Sequence, residues 1–107
     1  MSQQILQVNL NFSIAGADLE ATWLDFAHPI AETPGLVWKV WLINDQAKEA
    51  GGIYLFESAD ALGTYVNGPA VAALKASPLV SNISAKTFDI MSEHSAITRA
   101  PLTAAVA

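Results

Sequence analysis

A strict alternation of apolar and polar side chains runs along residues 5–13, near the start of the chain. A period of two residues is typical of a β-strand with one buried face. The other face is rich in amides, and one of them, Asn9, is a candidate substrate contact. The sequence therefore predicts an amphipathic first strand whose buried face carries Leu6, Val8, Leu10 and Phe12.

The pattern changes after Gly16, where apolar residues recur at intervals of four, three and four positions. This spacing predicts an amphipathic helix over residues 18–32, with acidic residues in its early turns. Pro29 lies inside the helix, and a kink is expected there because proline lacks the N–H and its ring clashes with the preceding turn. Pro34 and Gly35 then end the helix. Its apolar stripe consists of Leu19, Trp23, Phe26 and Ile30.

The rest of the chain predicts a β-hairpin, an interrupted helix and a last strand. The hairpin has strands at residues 36–43 and 51–56. Ser58 can cap the following helix, which the Gly-Pro pair at positions 68 and 69 interrupts before it resumes over residues 70–76. A fourth strand is predicted over residues 80–90.

The resulting order, β-α-β-β-α-β, is that of the ferredoxin-like fold. Its fold class is α+β, with a four-stranded antiparallel sheet and two helices on one face. We expect one such domain over residues 1–90. The tail over residues 91–107 is small and apolar, and the sequence leaves open whether it forms a strand, a helix or an arm over a dimer partner.

The second strand of the sheet predicts a homodimer. Both of its faces are apolar apart from Lys39, whereas two helices can cover only one face of a sheet. The chain is 52% hydrophobic and only 14% charged, so a second copy is the simplest cover for the other face.

The overall composition argues against several classes of protein. A formal net charge of −5, with only five Lys and Arg residues, offers no basic surface for nucleic acid or anionic lipid. No apolar run reaches the length of about 18 residues that a membrane span needs, and the N-terminus lacks the features of a signal peptide. The chain has no cysteine, which excludes disulfides and thiolate metal sites and fits a reducing compartment, so we expect a cytoplasmic protein.

Four parts of the sequence together resemble the YdhR-type monooxygenases, a family in the dimeric α+β barrel superfamily: PGLVWKVW, EAGGIYLFES, Tyr65 and LKASPLVSNISAKTFDI. The resemblance covers residues 5–90 and implies a ferredoxin-like protomer, sheet-to-sheet dimerisation and a pocket between sheet and helices. It also implies cofactor-independent oxidation of reduced polyketide-like aromatics, although the superfamily includes haem degraders, lactone isomerases and decyclases. In its quinone-forming members the third strand carries an Asn and a Trp; Gly52 and Phe56 stand at those positions here.

The hairpin supplies the candidate catalytic groups, a cation and a phenol on one face. Lys39 would stabilise a phenolate or enolate and Tyr54 would hydrogen-bond the same oxygen, while aromatic rings stack on the substrate and exclude water. Such a surface suits a planar aromatic compound with an ionisable hydroxyl. The predicted register pairs Trp41 with Gly52, Lys39 with Tyr54 and Val37 with Phe56.

His28 is a further catalytic candidate, since a histidine has an ordinary pKa of about 6.5 and suits a general base. The sequence has no dinucleotide-binding or phosphate-binding glycine motif, and two histidines are too few for a metal site. We therefore expect no bound cofactor; haem held by one histidine is the open alternative. The predicted substrate contacts are Asn9, Trp23, Trp38, Trp41, Phe56 and Tyr65.

Three functions remain open at this point. The resemblance favours a cofactor-independent monooxygenase for a small or polycyclic phenolic compound. The alternatives are an isomerase or lyase that uses His28 or Tyr54 for proton transfer, and a small-molecule binding protein. In a purely structural interpretation, Trp38 and Trp41 pack in the core or against a dimer partner, and Lys39 extends to the rim of the sheet.

Overall fold

The computed structural model describes residues 2–102 and contains, within them, four strands and four helices in the order β-α-β-β-α-α-β-α. The order fits the alternation of period-two and helical patterns along the chain. The strands are β1 (Gln4–Phe12), β2 (Leu36–Asn44), β3 (Glu49–Phe56) and β4 (Val80–Asp89). The helices are α1 (Gly16–Ala31), α2 (Ala59–Val66), α3 (Pro69–Ala76) and α4 (Ser92–Ile97).

The strands form one antiparallel sheet in the spatial order β2-β3-β1-β4, which confirms the predicted ferredoxin-like α+β fold. The second helix of the expected order is divided into α2 and α3. The Oγ atom of Ser58 accepts the N–H of Ala61 at 3.1 Å and caps α2, as predicted. Pro69 begins α3, where its missing N–H would have had no partner within the helix.

Helix α1 begins two residues before its predicted start because the hairpin caps it. Ala15 precedes the helix and offers no side-chain cap. Instead, Oδ1 of Asp45 accepts the N–H of Gly16 at 3.0 Å and places a carboxylate at the positive end of the helix dipole. A Cβ atom at Gly16 would lie 2.7 Å from Cγ of Asp45, so the cap needs a glycine there.

The register of the β2–β3 hairpin agrees with the prediction at its centre and departs from it at one end. Lys39 lies opposite Tyr54, as predicted. A bulge follows Leu36, so that Leu36 rather than Val37 lies opposite Phe56. The strict alternation predicted for this strand is therefore wrong at its start, and Leu36 packs against the core on the helix side of the sheet.

The core lies on the helix side of the sheet in two clusters, and β1 contributes to both through its alternating side chains. The larger cluster centres on the stacked rings of Tyr54 and Phe56, and Phe56 is completely buried. The smaller cluster joins the start of α1 to the sheet. Their buried members are Leu6, Val8, Tyr54, Phe56, Leu62, Tyr65 and Val71 in the first, and Leu10, Phe12, Leu19 and Ala50 in the second.

The opposite side of the sheet, which we call the outer face, is apolar and partly covered by the tail. The indole N–H of Trp38 donates to the carbonyl of Pro101 at 2.7 Å, and the amide of Gln3 donates to the carbonyl of Leu102. Farther along the sheet, Val40 is 49% exposed. By register, the apolar outer-face residues are Ile5, Trp38, Val40, Leu42, Ile53, Leu55 and Phe88.

Part of the tail is helical, since α4 lies within residues 91–107. The possible dimer arm stays a prediction, and residues 103–107 lie outside the described residues. Among residues 2–102, no helix combines the length and the apolar character that crossing a membrane requires.

Candidate active site

A cavity of about 930 Å³ lies between the helix side of the sheet and helices α1 to α3. A volume of this size accommodates a drug-sized or polycyclic molecule. Apolar and aromatic side chains form most of its wall, and Lys39 is the one lysine or arginine among the described residues that line it. Its lining includes Leu19, Trp23, Phe26, Ile30, Lys39, Trp41, Tyr54, Tyr65 and Leu74.

The amine of Lys39 lies between two aromatic rings. Its Nζ atom is 3.3 Å from the ring centroid of Trp41 and 4.4 Å from that of Tyr54. The aliphatic stem passes over Gly52, where a Cβ atom would come within 2.7 Å of Cε of Lys39. Gly52 therefore provides the space in which the lysine side chain lies along the sheet.

Burial lowers the pKa of Lys39 from 10.5 to about 7, because the low-dielectric surroundings disfavour the ammonium form. The π-faces of the two rings attract the ammonium and partly offset this effect. Among the described residues, no carboxylate pairs with the amine; the ion pair found there belongs to Lys48 and Asp45. Near neutral pH, Lys39 is therefore a neutral amine in some molecules and an ammonium in others. The first form can accept a proton and the second can donate one.

Two tyrosines form a hydrogen-bonded pair deeper in the wall. The hydroxyl oxygens of Tyr54 and Tyr65 lie 3.1 Å apart, and their rings are tilted against each other. Burial raises the pKa of both phenols, so both stay protonated under ordinary conditions. Phe56 packs against both rings and is part of their support rather than of the cavity lining. The pair can donate a hydrogen bond to an anionic oxygen, but it is a poor source of phenolate.

The two tryptophans Trp23 and Trp41 close the side of the cavity that faces α1. Their ring centroids are 6.0 Å apart at 54°, a tilted contact between helix and sheet. Trp41 is 36% exposed, which places it at the border between cavity and solvent. A planar ligand that reaches Lys39 would therefore lie against indole surface.

The structure brings five of the predicted site residues to the cavity wall and leaves four away from it. Asn9 belongs to the polar face of β1, opposite the buried side chains of that strand. Trp38 lies on the outer face against the tail, and His28 is exposed and not part of the lining. Phe56 is the last of the four predicted residues that do not line the cavity. The five at the wall are Trp23, Lys39, Trp41, Tyr54 and Tyr65.

Several polar lining residues were not anticipated from the sequence. Thr22 comes three positions after Leu19 and four before Phe26, so the helical spacing itself places it on the apolar stripe of α1. The sequence pattern was sufficient to find this residue. The lining also includes Glu32, Thr33, Glu57, Thr64 and Ser77.

A family model described as "Putative mono-oxygenase ydhR" matches residues 5–101. No curated protein matches the chain significantly. Among solved structures, a protein of unknown function from Nitrosomonas europaea is similar with a TM-score of 0.68 and 22% identity, over 85% of this chain and 91% of its own.

Two further similar structures have described activities. SnoaB, a cofactor-independent oxygenase from Streptomyces nogalater, has a TM-score of 0.67 and 20% identity, over 85% of this chain and 95% of its own. The haem degrader MhuD from Mycobacterium tuberculosis has a TM-score of 0.63 and 24% identity, over 81% of this chain and 95% of its own. At these identities the likeness concerns the fold, and the two activities differ.

Proposed function

The chain belongs to the YdhR mono-oxygenase family, and we propose that it oxidises a planar phenolic or polycyclic aromatic compound with O₂ and without a cofactor. The observation that carries this proposal is an amine without a carboxylate partner, among the described residues, in an aromatic cavity. A substrate with an ionisable hydroxyl supplies the anion that this amine lacks. The cofactor-independent activity of SnoaB, which has a similar fold, is consistent with the same chemistry.

Lys39 acts in this proposal as the general base. For an anthrone-like substrate, its neutral amine accepts a proton and leaves a delocalised enolate. The resulting ammonium stays beside the enolate oxygen and stabilises its charge in surroundings of low dielectric constant. A pKa of about 7 keeps part of the lysine population neutral at the start of the cycle.

Oxygen then reacts with the electron-rich anion directly. The enolate transfers one electron to O₂, and the carbon radical and superoxide combine to a carbon-bound peroxide. Lys39 returns its proton to this peroxide, and loss of water across the carbon and the O–O group forms the carbonyl. The balance is one CH₂ group and one O₂ converted into one C=O group and one water, with the lysine regenerated.

The aromatic residues position the substrate in this reaction. Trp41 and Tyr54 both present ring surface to the amine, and Trp23 extends the aromatic surface beyond Trp41. The Tyr54–Tyr65 hydroxyl pair stays protonated and is suited to donating a hydrogen bond to the developing anion. Together these groups hold a planar substrate and limit the access of water to it.

The donor set of the wall favours an organic substrate over haem. Histidine and deprotonated tyrosine are axial ligands of haem iron. No histidine is among the described residues that line the cavity, and burial keeps the phenols of Tyr54 and Tyr65 protonated, which disfavours their binding to iron. Within residues 2–102 there is also no cluster of three or more His, Asp or Glu side chains placed to hold a metal ion.

Oxygen uptake by the purified protein tests the proposal. The panel contains hydroquinones, naphthols and anthrone-like reduced aromatics, with heat-denatured protein as the control for autoxidation. We expect saturable, protein-dependent uptake with one or more of them, and a quinone or carbonyl product. Product formed equally well without oxygen would instead support an isomerase or lyase, and binding without turnover would support a carrier.

We also propose that two copies pair through their outer faces. Val40 is 49% exposed and Phe88 is 46% exposed on this face, and a contact between copies would remove this apolar surface from water. Light scattering at low micromolar concentration should give twice the chain mass of 11.3 kDa. A mass equal to that of one chain, together with an unchanged mass for the Val40→Lys variant, would contradict the dimer.

A further inference from the structure

The surroundings of Lys39 also suit a covalent reaction that involves no oxygen. A lysine becomes nucleophilic when an apolar site removes water from its amine and no anion stabilises the ammonium. Both conditions hold here: Nζ lies between the rings of Trp41 and Tyr54, and no described carboxylate is paired with it. The adjoining cavity of about 930 Å³ leaves room for a reaction partner.

We propose that Lys39 is a covalent capture site for apolar aromatic aldehydes, which bind in the cavity and form an imine with its amine. The nitrogen lone pair adds to the carbonyl carbon and gives a carbinolamine. Loss of water then forms the C=N bond, and the carbonyl oxygen leaves in that water. The reaction needs no oxidant or reductant, and the product remains joined to the protein until water reverses the step.

The shape of the wall selects the aldehyde class. The rings of Trp41 and Tyr54 contact the amine, and Trp23 packs against Trp41 and extends this aromatic surface. Such a wall favours a flat aromatic ring attached to the carbonyl. The described lining contains two acidic residues, Glu32 and Glu57, and no lysine or arginine besides Lys39. An aldehyde that carries a carboxylate would therefore be repelled by like charge.

The other lysines lack this combination of features. Lys48 donates to the Asp45 carboxylate at 2.9 Å and to the carbonyl of Ile14 at 3.0 Å, so its ammonium is held by acceptors. Lys75 on α3 and Lys86 on β4 are exposed and do not line the cavity. These three residues are internal references for the reactivity of Lys39.

The experiment treats the folded protein with 2-naphthaldehyde and sodium cyanoborohydride at neutral pH in the absence of oxygen. The cyanoborohydride supplies hydride that reduces any imine to a stable secondary amine, and peptide mass spectrometry locates this amine. We expect one lysine adduct per chain, with Lys39 modified at least about tenfold faster than Lys75 or Lys86. An adduct at the N-terminal amine, whose ordinary pKa is about 8, is counted separately. Equal modification of Lys39, Lys75 and Lys86 would overturn the proposal.

Two controls keep the result unambiguous. Formaldehyde is small enough to reach every lysine and has no ring to contact the wall, so it should label Lys75 and Lys86 as well and prefer Lys39 less strongly than 2-naphthaldehyde does. The Lys39→Arg variant keeps the cation but cannot form the imine, and should lose the fast adduct while circular dichroism reports an unchanged fold. A fast adduct that persists in this variant would place the reaction elsewhere and overturn the assignment.

The capture reaction does not depend on the proposed oxygenase activity. An adduct at Lys39 without oxygen uptake would support the capture site and contradict the oxygenase. Oxygen uptake that requires Lys39, with no selective adduct, would support the oxygenase and contradict the capture site. The two proposals can therefore fail separately.

Discussion

Lys39 and Lys48 both belong to the β2–β3 hairpin and both approach an aromatic ring, yet their surroundings differ. Lys48 lies 5.2 Å from the ring centroid of Phe12 and bonds to Asp45 and to the carbonyl of Ile14. Lys39 lies 3.3 Å from the ring centroid of Trp41 and has no described carboxylate partner. One ammonium is satisfied near the surface, and the other is desolvated beside a cavity.

These different surroundings give the two lysines different roles: the charge of Lys48 stabilises the fold, and the amine of Lys39 is free to react. The Lys48–Asp45 pair connects the turn of the hairpin to the start of α1, because Asp45 also caps that helix. A charge without a partner weakens the fold instead, since desolvation disfavours the ammonium. A glycine makes room in each region: Gly16 for the carboxylate of Asp45, and Gly52 for the stem of Lys39.

The largest expected effect comes from Lys39→Met, which keeps the length of the side chain and removes the amine. Loss of a general base typically lowers the rate by about 10² to 10⁴. We expect oxygen uptake with the best substrate of the panel to fall by at least about 100-fold.

Lys48→Met is the matched control, because it removes the other lysine of the hairpin and leaves the cavity intact. Its turnover per folded protein should stay close to that of the unmodified chain. Equal turnover by Lys39→Met and the unmodified protein would remove Lys39 from the mechanism, and equal losses in both variants would point to a general effect on the hairpin.

The pH dependence of stability provides the next test. The folded-state pKa of Lys39 is about 7, below its ordinary value of 10.5, so between these values the unfolded chain binds more protons. The free energy of unfolding should therefore rise from pH 7 towards pH 10 by up to a few kcal/mol. The Lys39→Met variant should lack this rise and should be the more stable protein at about pH 6.

Urea unfolding of both proteins across this pH range measures the difference. The contribution of Tyr54, whose raised pKa acts above its ordinary value of 10.0, is shared by both and cancels. Parallel curves for the two proteins would mean that the amine of Lys39 is not desolvated.

Two adjacent glycines give a smaller and more local test. A Cβ atom at Gly52 meets the flexible Cε of Lys39 at 2.7 Å and the backbone oxygen of Val40 at 3.2 Å. Gly52→Ala should therefore displace the lysine and shift the neighbouring strand by only a few tenths of an ångström. We expect turnover to fall by about tenfold, since small displacements of a catalytic group have effects of this order. The free energy of unfolding should change by no more than about 1 kcal/mol.

Gly51→Ala is the contrasting variant. Its Cβ atom would lie 1.8 Å from the backbone oxygen of Val8, and β1 and β3 would have to separate. This variant should be strongly destabilised, with a lower midpoint in urea. If Gly52→Ala destabilised the fold as much as Gly51→Ala does, the proposed role of Gly52 as space for Lys39 would be wrong.

The sequence predicted the fold, the family and the centre of the hairpin because all three depend on local patterns. Alternation along β1 and the pairing of Lys39 with Tyr54 follow from the period of the strands. The cap on α1 could not be predicted, because Asp45 lies 29 positions from Gly16 in the chain. Nothing in the local sequence indicates the bulge after Leu36. The bulge places Leu36 on the opposite face of the sheet from the one that strict alternation predicts.

Local patterns also explain which residues of the candidate site could be predicted. Lys39, Trp41 and Tyr54 come from two adjacent strands, and the register alone brings them together. Asn9 was assigned from its residue type, yet the alternation of β1 already separates it from the buried side chains on the helix side. Trp38 and His28 likewise depend on which surface the tail and the helices cover, and this is a tertiary property.

The smallest expected effect concerns the ion pair between Lys48 and Asp45. Hydrogen bonds from Lys48 and Gly16 and the charge of Lys48 lower the pKa of Asp45 from its ordinary value of 3.8, although burial opposes the shift. A lowered carboxyl pKa stabilises the fold above the ordinary value, and this contribution is lost as the pH falls through the folded-state value. Asp45→Asn should therefore lower the melting temperature slightly at neutral pH, and the difference should shrink as the pH falls below the ordinary carboxyl pKa of 3.8.

Differential scanning calorimetry at both pH values, with added salt as a second variable, measures this small effect. Salt should reduce the difference because the ion pair is exposed. Turnover per folded protein should not change, since Asp45 caps α1 and does not line the cavity. A loss of turnover comparable to that of Lys39→Met would mean that the two lysine regions are coupled, and the separation of structural from reactive charge would fail.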